Sequence, residues 1–240
     1  MSTGKKMQTD WDRSAKAWLT HVGDEGDFSR KNVLDGPMLQ RVQNCDGPRV
    51  LDIGCGEGRF CRLMSELSLD VTGVDPTEEL LVVAREKGGG TYVNAQAEEL
   101  PFWDNEFDLV VFYLSLIDIA GLLQAIREAT RVLKPGGRVL VGNLSPWITS
   151  SQGADGEDWQ RQSDGSVKMR MAHYLDEFAY RANWNDIDIE NWHRPLSAYM
   201  RVFLSLGLRL IYFDEPKAID DSYKGYDQAP YLYLMEWLKP

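Results

Sequence analysis

Two features able to do chemistry stand close together early in the chain. Residues 50–58 read Val-Leu-Asp-Ile-Gly-Cys-Gly-Glu-Gly, a short apolar run ending in glycines at 54, 56 and 58. Glycine permits a tight turn and lets a ligand approach the backbone with no Cβ in the way. Unpaired N–H groups at the start of the following helix would face the same ligand. Asp75 closes the next apolar run, and a carboxylate there can accept both hydroxyls of a ribose. A bland turn would explain the glycines alone; the placement of Asp75 favours a ligand containing adenosine. A nicotinamide-type loop needs glycine at position 59, which is Arg59. Glu57 would also set a negative charge beside any pyrophosphate. The expected ligand has a ribose and no phosphate.

A second kind of chemistry rests on His193, in the run Trp192-His193-Arg194-Pro195. A histidine of near-neutral pKa can remove a proton from a hydroxyl or amine. The competing reading is a helix-start histidine bonded to backbone. His21 is expected on the surface or in a lid, and His173 in a strand over 168–175 with a structural role. The three histidines stand far apart, with no HExxH or Cys/His cluster to suggest zinc. The rings of Trp11 and Trp18, with Arg30 further along the same stretch, could cover a cationic ligand; packing of an amphipathic helix explains the tryptophans equally well. Trp159, Tyr174, Phe178, Tyr180, Trp184, Trp192 and Tyr199 crowd one later stretch. They could line a substrate pocket, with Trp159, Tyr174, Phe178 and Trp192 supplying its apolar surface, or form a small satellite core.

These residues need a scaffold to hold them. Trp11, Ala15, Trp18 and Leu19 recur at helical spacing. Strands are expected at 49–53, 70–75, 91–93, 107–112 and 138–141. Helices are expected at 59–68, at 77–87 with Thr77 as its cap, and at 119–133. Lys134-Pro135-Gly136-Gly137 reads as a structural breaker between helix and strand. Nearly all-apolar strands alternating with helices imply a parallel sheet covered on both faces. Beyond Asn143 the pattern changes. Residues 149–166 read as a polar loop, 167–194 as an inserted subregion, 195–206 as a helix, and 208–213 and 231–238 as strands.

Lys and Arg number 26 against 37 Asp and Glu, a formal net charge of −11. So acidic a surface repels phosphate backbones and anionic lipid, which argues against nucleic acid and membrane as partners. Cys45, Cys55 and Cys61 are an odd number with no CxxC pair, as expected of reduced thiols in a cytoplasmic protein. The opening residues lack an apolar run and read as neither secretory signal nor anchor. No window offers the roughly 20 apolar residues a membrane span needs.

Four motifs in order, LDIGCGEGRF, GVDPTEELL, NAQAEELPF and REATRVLKPGGRVLV, resemble the class I S-adenosylmethionine-dependent methyltransferases, in particular the small-molecule group that includes quinone-biosynthesis enzymes. The likeness covers about residues 49–143, and HRPLSAYMRVFLSLGL is similar to the family's last helix. It implies an α/β, Rossmann-like, mostly parallel seven-stranded sheet with an antiparallel last strand. It also implies one domain: a lid-like segment (1–47), a cofactor-binding core (49–143), a substrate-side insertion (144–194) and a C-terminal helix and strands (195–240). The cofactor would be S-adenosylmethionine, which has a ribose and a sulfonium and no phosphate. By the same resemblance Gly54, Cys55 and Gly56 would line its methionine moiety above Asp52. Asp75 would hold the ribose, Pro76 would touch the adenine, and Gln96-Ala97 would meet the adenine edge, with Gln96 standing where the family usually has aspartate. The Leu114 carbonyl would take the amino group, and His193 would face the substrate at the sheet's carboxyl edge. The reaction implied is methyl transfer to O, N or C of a small apolar or aromatic metabolite. A protein substrate, a non-catalytic binding module and a nicotinamide-dependent reductase are the alternatives.

Overall fold

The apolar runs pair into one twisted sheet. The structure, a computed structural model, describes residues 9–151, 159–164, 166–219, 226 and 229–240. In chain order the strands are β1 Arg49–Ile53, β2 Asp70–Asp75, β3 Thr91–Asn94, β4 Phe107–Tyr113, β5 Leu133–Leu144, β6 Trp159–Arg161, β7 Val167–Met169, β8 Phe178–Trp184, β9 Ile187–His193, β10 Arg209–Asp214 and β11 Leu232–Leu238. Seven of them form the central sheet in the order β10-β11-β5-β4-β1-β2-β3. β11 runs antiparallel to both β5 and β10; β1 to β5 are mutually parallel. This is the expected Rossmann-like sheet with its antiparallel last strand. β6–β7 and β8–β9 are separate two-stranded hairpins.

Successive residues of a strand face opposite sides, so a sheet covered on both faces needs apolar residues at every position. Leu51, Ile53, Val110 and Phe112 enter one core layer with α5 (Leu122–Val132) and α7 (Leu196–Ser205). Val50, Leu109, Val111 and Leu140 enter the opposite layer with α2 (Asp35–Gln43), α3 (Arg59–Ser65) and α4 (Glu78–Lys87). The stretch before β1 is α1 (Asp10–Val22) and a π-helical turn, Arg30–Leu34, that runs into α2. Thr9 and Asp12 close a capping box on α1, and Asp10 and Asp12 complement the dipole of its first turn. Ala15, Trp18 and Val22 form its buried stripe. α1 lies on β9, where the Ser14 hydroxyl donates to the Asp188 carbonyl (3.2 Å) and accepts from the Asp188 N–H (3.1 Å).

Arg41 of α2 and Arg138 of β5 both pair with Glu236 of β11, whose side chain has no exposure, and Arg138 also donates to the Asn44 carbonyl. Two guanidinium groups thus compensate one carboxylate removed from water, without which the burial would be strongly unfavourable.

Three local expectations are corrected. Lys134 to Gly137 do not break the strand; they form a bulged excursion at the start of β5, whose pairing jumps from Phe107↔Leu133 to Leu109↔Arg138. α5 starts at Leu122 and not at 119, because Gly121 stands at its N-cap. The strand expected over 168–175 ends at Met169, and His173 sits in an exposed turn at φ 54°. Among the described residues no helix is long and apolar enough to cross a membrane, and no group of three or more His, Cys, Asp or Glu could hold a metal ion.

Candidate active site

In an open parallel sheet the ligand crevice lies beyond the carboxyl ends of the strands, where strand order reverses. Here that point is between β1, which leads outward to β2 and β3, and β4, which leads to β5. The glycine loop leaves β1 at this place. Gly54 adopts φ +79°, and a Cβ on it would stand 2.4 Å from the Ser115 Cβ. Ser115 is held there by donating its hydroxyl to the Ile53 carbonyl (2.6 Å). Gly56 adopts φ +56°, and a Cβ there would enter the space between Trp18 and Leu80, 3.9 and 4.0 Å away. One glycine is required by packing; the other keeps a cavity open.

Asp75, at the end of β2, pins the loop. Its Oδ2 accepts from the Gly56 N–H (2.9 Å) and its Oδ1 from the Thr77 N–H (2.8 Å). Thr77 stands at the N-cap of α4 as expected, but its side chain makes no cap bond. Asp52 lies beneath the loop, 1% exposed, with Oδ2 accepting from the Cys61 thiol (3.4 Å) and Oδ1 without a partner. Burial pushes its carboxyl up to about 7, the Asp75 and Glu57 carboxylates adding to the rise. Burial also raises Asp75. Burial holds the Cys55 thiol well above the ordinary range, so Cys55 is a wall and not a nucleophile.

These groups border a cavity of about 400 Å³, lined among others by Gly54, Gly56, Asp75, Pro76, Gln96 and Ala97. Leu114 joins the same wall at φ +58°, just past β4. Asp52 and Cys55 border a recess of about 50 Å³, of which Gly54 and Gly56 form part of the wall. The nine residues expected around the cofactor therefore border either this cavity or the small recess that shares its Gly54 and Gly56 walls. A second cavity of about 390 Å³ adjoins the first, with Tyr180, Trp184 and Ile189 from the β8–β9 hairpin among its walls. Trp11, Trp18, Arg30, Leu114 and Asp118 border both cavities. Arg30 packs over the Trp18 ring, 4.7 Å from its centroid, and pairs with Asp27.

The electrostatics select the ligand. Asp75 and Asp118 border the cavity, and Asp52 and Glu57 the recess beside it. The nearest cations are committed elsewhere: Arg30 to Asp27 and Arg59 to Asp35. A partnerless buried carboxylate oxygen and three upward-pushed carboxyls favour a positively charged ligand and repel a pyrophosphate. An adenosine that carries a sulfonium and an ammonium fits this donor set; a dinucleotide does not.

His193 is not in either cavity. It is fully buried, its Nδ1 is 2.7 Å from the Thr149 hydroxyl and its Nε2 3.0 Å from the Tyr174 carbonyl. Burial lowers its pKa. The hairpin register explains the placement. Trp184↔Ile187, Ala182↔Ile189 and Tyr180↔Asn191 face inward in turn along the second cavity, and Phe178↔His193 is the next pair, past its end. Tyr174 and Phe178 pack on His193 with ring centroids 5.8 and 4.9 Å away, and Trp192 packs on Arg194. Tyr180 and Trp184, not Tyr174, Phe178 and Trp192, supply the aromatic wall; the Trp159 side chain lies outside the described residues. His21 does border the second cavity, beside Trp18 and Trp184.

Sequence reasoning missed Ser115, Glu98 and Asp118. Asp118 carried a usable signal: it is the single charged residue between Asp108 and Arg127. A lone carboxylate in so apolar a run needs either a partner or a task.

Comparison with known proteins agrees with this geometry. Residues 51–141 match the family model described as a methyltransferase domain. The chain is 43% identical over 109 residues to the ubiquinone/menaquinone biosynthesis C-methyltransferase UbiE of Pseudomonas paraeruginosa, covering 41% of this chain and 43% of that one. It is 39% identical over 120 residues to the demethylmenaquinone methyltransferase of Staphylococcus aureus, covering 47% and 50%. It thus matches half or less of the length of these curated relatives. An S-adenosylmethionine dependent methyltransferase from Mesorhizobium loti superposes with a TM-score of 0.74 at 24% identity, over 90% of this chain and 99% of the other. The CcbJ methyltransferase from Streptomyces caelestis does so with a TM-score of 0.66 at 18% identity, over 97% and 98%. At these identities the likeness is one of fold.

Proposed function

We propose that residues 51–141, which match a methyltransferase-domain model, form the core of a class I S-adenosylmethionine-dependent methyltransferase and that this chain methylates a small aromatic acceptor of the quinol or phenol class. The observation that carries the proposal is the pair of cavities of nearly equal volume that meet at Trp11, Trp18, Arg30, Leu114 and Asp118. One has the acids and glycines an adenosine-bearing cation needs; the other has the flat, apolar walls a ring needs. The names of the curated relatives, a quinone-biosynthesis C-methyltransferase and a demethylmenaquinone methyltransferase, favour a quinol and transfer to carbon.

When bound, S-adenosylmethionine supplies a methyl group already activated by the positive charge on its sulfur. The task left to the protein is alignment and exclusion of water. In this reading Asp75 accepts from the ribose hydroxyls through lone pairs its two backbone donors leave open, Pro76, Gln96 and Ala97 border the adenine, and Asp52 balances charge beneath the loop. Trp11 and Trp18 roof both ligands at their junction. His193 serves as a structural residue that ties α6 (Pro146–Thr149) to the hairpin, leaving any proton transfer to another group. The unpaired thiols Cys45, Cys55 and Cys61 suit the reducing cytoplasm.

Calorimetric titration with S-adenosylhomocysteine and with NAD tests the cofactor. A panel of naphthoquinols, benzoquinols, phenols and amines with methyl-labelled S-adenosylmethionine then tests the acceptor. Binding of NAD alone would sink the reading at its first step. Label in added protein or RNA and in none of the small molecules would sink the acceptor class.

A further inference from the structure

We infer that Asp118 is the proton-accepting catalytic residue of this site, and that the acceptor presents an ionisable O–H to it. The inference deepens the proposed methyl transfer and rests on that reading. Its ground is position. Asp118 follows β4 by five residues, its N–H donating to the Ser115 carbonyl (3.0 Å), so it is carried by the same short turn that braces the glycine loop. From there it borders the cofactor cavity and the aromatic cavity at once. The other residues at that junction are two tryptophans, a leucine and Arg30. Among the five, only a carboxylate can accept a proton near neutral pH.

The carboxylate is aimed and not merely present. Asn191 of β9 donates through its side-chain amide to Asp118 Oδ1, and Trp11 of α1 lies near enough to favour the charged carboxylate. Asn191 itself is fixed by the hairpin register opposite Tyr180, and both border the aromatic cavity. Asn191 thus aims the carboxylate from the hairpin that walls the aromatic cavity, while Trp11 of α1 borders both cavities beside it. Arg30, the cation at the same junction, is paired with Asp27 and forms no ion pair with Asp118.

The electrostatic setting agrees with the geometry. Burial pushes the Asp118 carboxyl up to about 8, with the Asp75 carboxylate adding to the rise and Arg30 opposing it. Glu98 also faces the cofactor cavity, and Asp27 and His21 face the aromatic one. A base matched to working pH is the efficient one, since it is strong enough to take a proton and still partly ionised. In the step assigned to Asp118 the acceptor's O–H bond breaks and its electron pair stays on oxygen, where it enriches the ring. The proton joins an Asp118 carboxylate oxygen and then passes to solvent. The ring carbon then takes the methyl group, the sulfur keeping the electron pair of the broken S–C bond, and the hydrogen that carbon carried moves to the oxygen as the ring regains aromaticity; the single proton passed to solvent balances the loss of one positive charge when the sulfonium becomes a thioether.

Asp118→Asn keeps the shape and removes the basic carboxylate. Three readouts on full-length protein separate the possibilities. S-adenosylhomocysteine affinity, by calorimetry, is expected to stay within about threefold. Turnover on a reduced 1,4-naphthoquinol is expected to fall about a hundredfold or more, as for loss of a general base, and to lose the rise with pH through about 8 expected of the wild type. Infrared difference spectra without ligand are expected to show a carboxylic-acid band titrating near pH 8 in the wild type and missing from the variant. Asn191→Leu, which removes a donor to the charged form, should move that midpoint upward. A naphthoquinol turnover and pH profile in Asp118→Asn equal to wild type would overturn the role of Asp118 and leave methyl transfer standing. A wild type that binds S-adenosylhomocysteine and methylates none of the O–H acceptors would overturn both.

Discussion

The two cavities are near equals in volume and unlike in construction. The cofactor side is made from chain segments close in sequence and largely from backbone: a glycine loop, a strand-end carboxylate and the turn after β4. The aromatic side is made from side chains brought together over long distances, with α1, the turn after it, the β8–β9 hairpin, Tyr226 and Tyr231 all contributing. A backbone-built site tolerates changes of side chain and fails when a backbone position is lost. A side-chain-built site can change its ligand by single substitutions while the fold stays the same.

Gly54→Ala should break this contrast most severely. Its Cβ meets the Ser115 Cβ at 2.4 Å on a backbone at φ +79°, so overpacking and strain together cost about 2–4 kcal/mol. Loss of detectable S-adenosylhomocysteine binding with a lowered Tm is expected; normal binding would show that the loop can move aside.

Asp75→Ala comes next. Removal of its bonds should weaken S-adenosylhomocysteine by about 1–3 kcal/mol in calorimetry. Unchanged affinity in a folded variant would place the ribose elsewhere.

The third effect is pH-dependent. The Asp52 carboxyl titrates near 7 in the free protein, and a bound cation favours its charged form. S-adenosylmethionine affinity should therefore rise with pH up to about 7, by no more than tenfold per unit, and then level off. Binding below pH 7 should release protons, visible as a buffer-dependent heat. The sign for stability is opposite. A carboxyl raised on folding contributes stability that is complete below about pH 4 and lost as pH climbs through about 7. Free Asp52→Asn should melt above the wild type at pH 8, and an equal melting temperature would show that Asp52 is better solvated than its burial indicates.

The smallest effect on cofactor affinity is expected from the far side. Trp184→Ala should raise the acceptor's KM several-fold and leave S-adenosylhomocysteine affinity unchanged. His193→Ala should also leave that affinity unchanged, while costing about 1–3 kcal/mol of stability because the Thr149 hydroxyl and Tyr174 carbonyl lose their partner. A shift in S-adenosylhomocysteine affinity in either variant would mean that the two cavities are more tightly coupled than their shared walls require.

The same contrast explains what could be read from the residues. The sheet and the loop were legible because apolar runs and glycine spacing are local signals: Asp52, Gly54, Gly56 and Asp75 all fall within 24 positions. The aromatic wall was not, because membership depends on register. Phe178 and Tyr180 differ by one pleat repeat along the same face, and only the latter reaches the cavity. His193 failed to reach it for the same reason, one pair beyond Asn191. Asp118 was overlooked because it belongs to no motif, although its isolation among apolar residues was visible. The Lys134 to Gly137 segment misled in another way, since a turn-forming composition is also what a strand bulge uses.

The clasp of Arg41 and Arg138 on Glu236 carries a consequence for the time at which the site comes into being. Glu236 lies 195 positions after Arg41, and both α2 and β5 hold a charge meant for it. Until β11 is laid into the sheet, those guanidinium groups remain better solvated than docked, and the N-terminal segment has little reason to settle over the crevice. Such distant closures are late events because their loop entropy must be met first. The β1-to-β5 framework can assemble early from neighbouring segments, whereas the roof that joins the two cavities waits for one of the last strands of the chain. In refolding, recovery of ligand binding should trail recovery of the sheet.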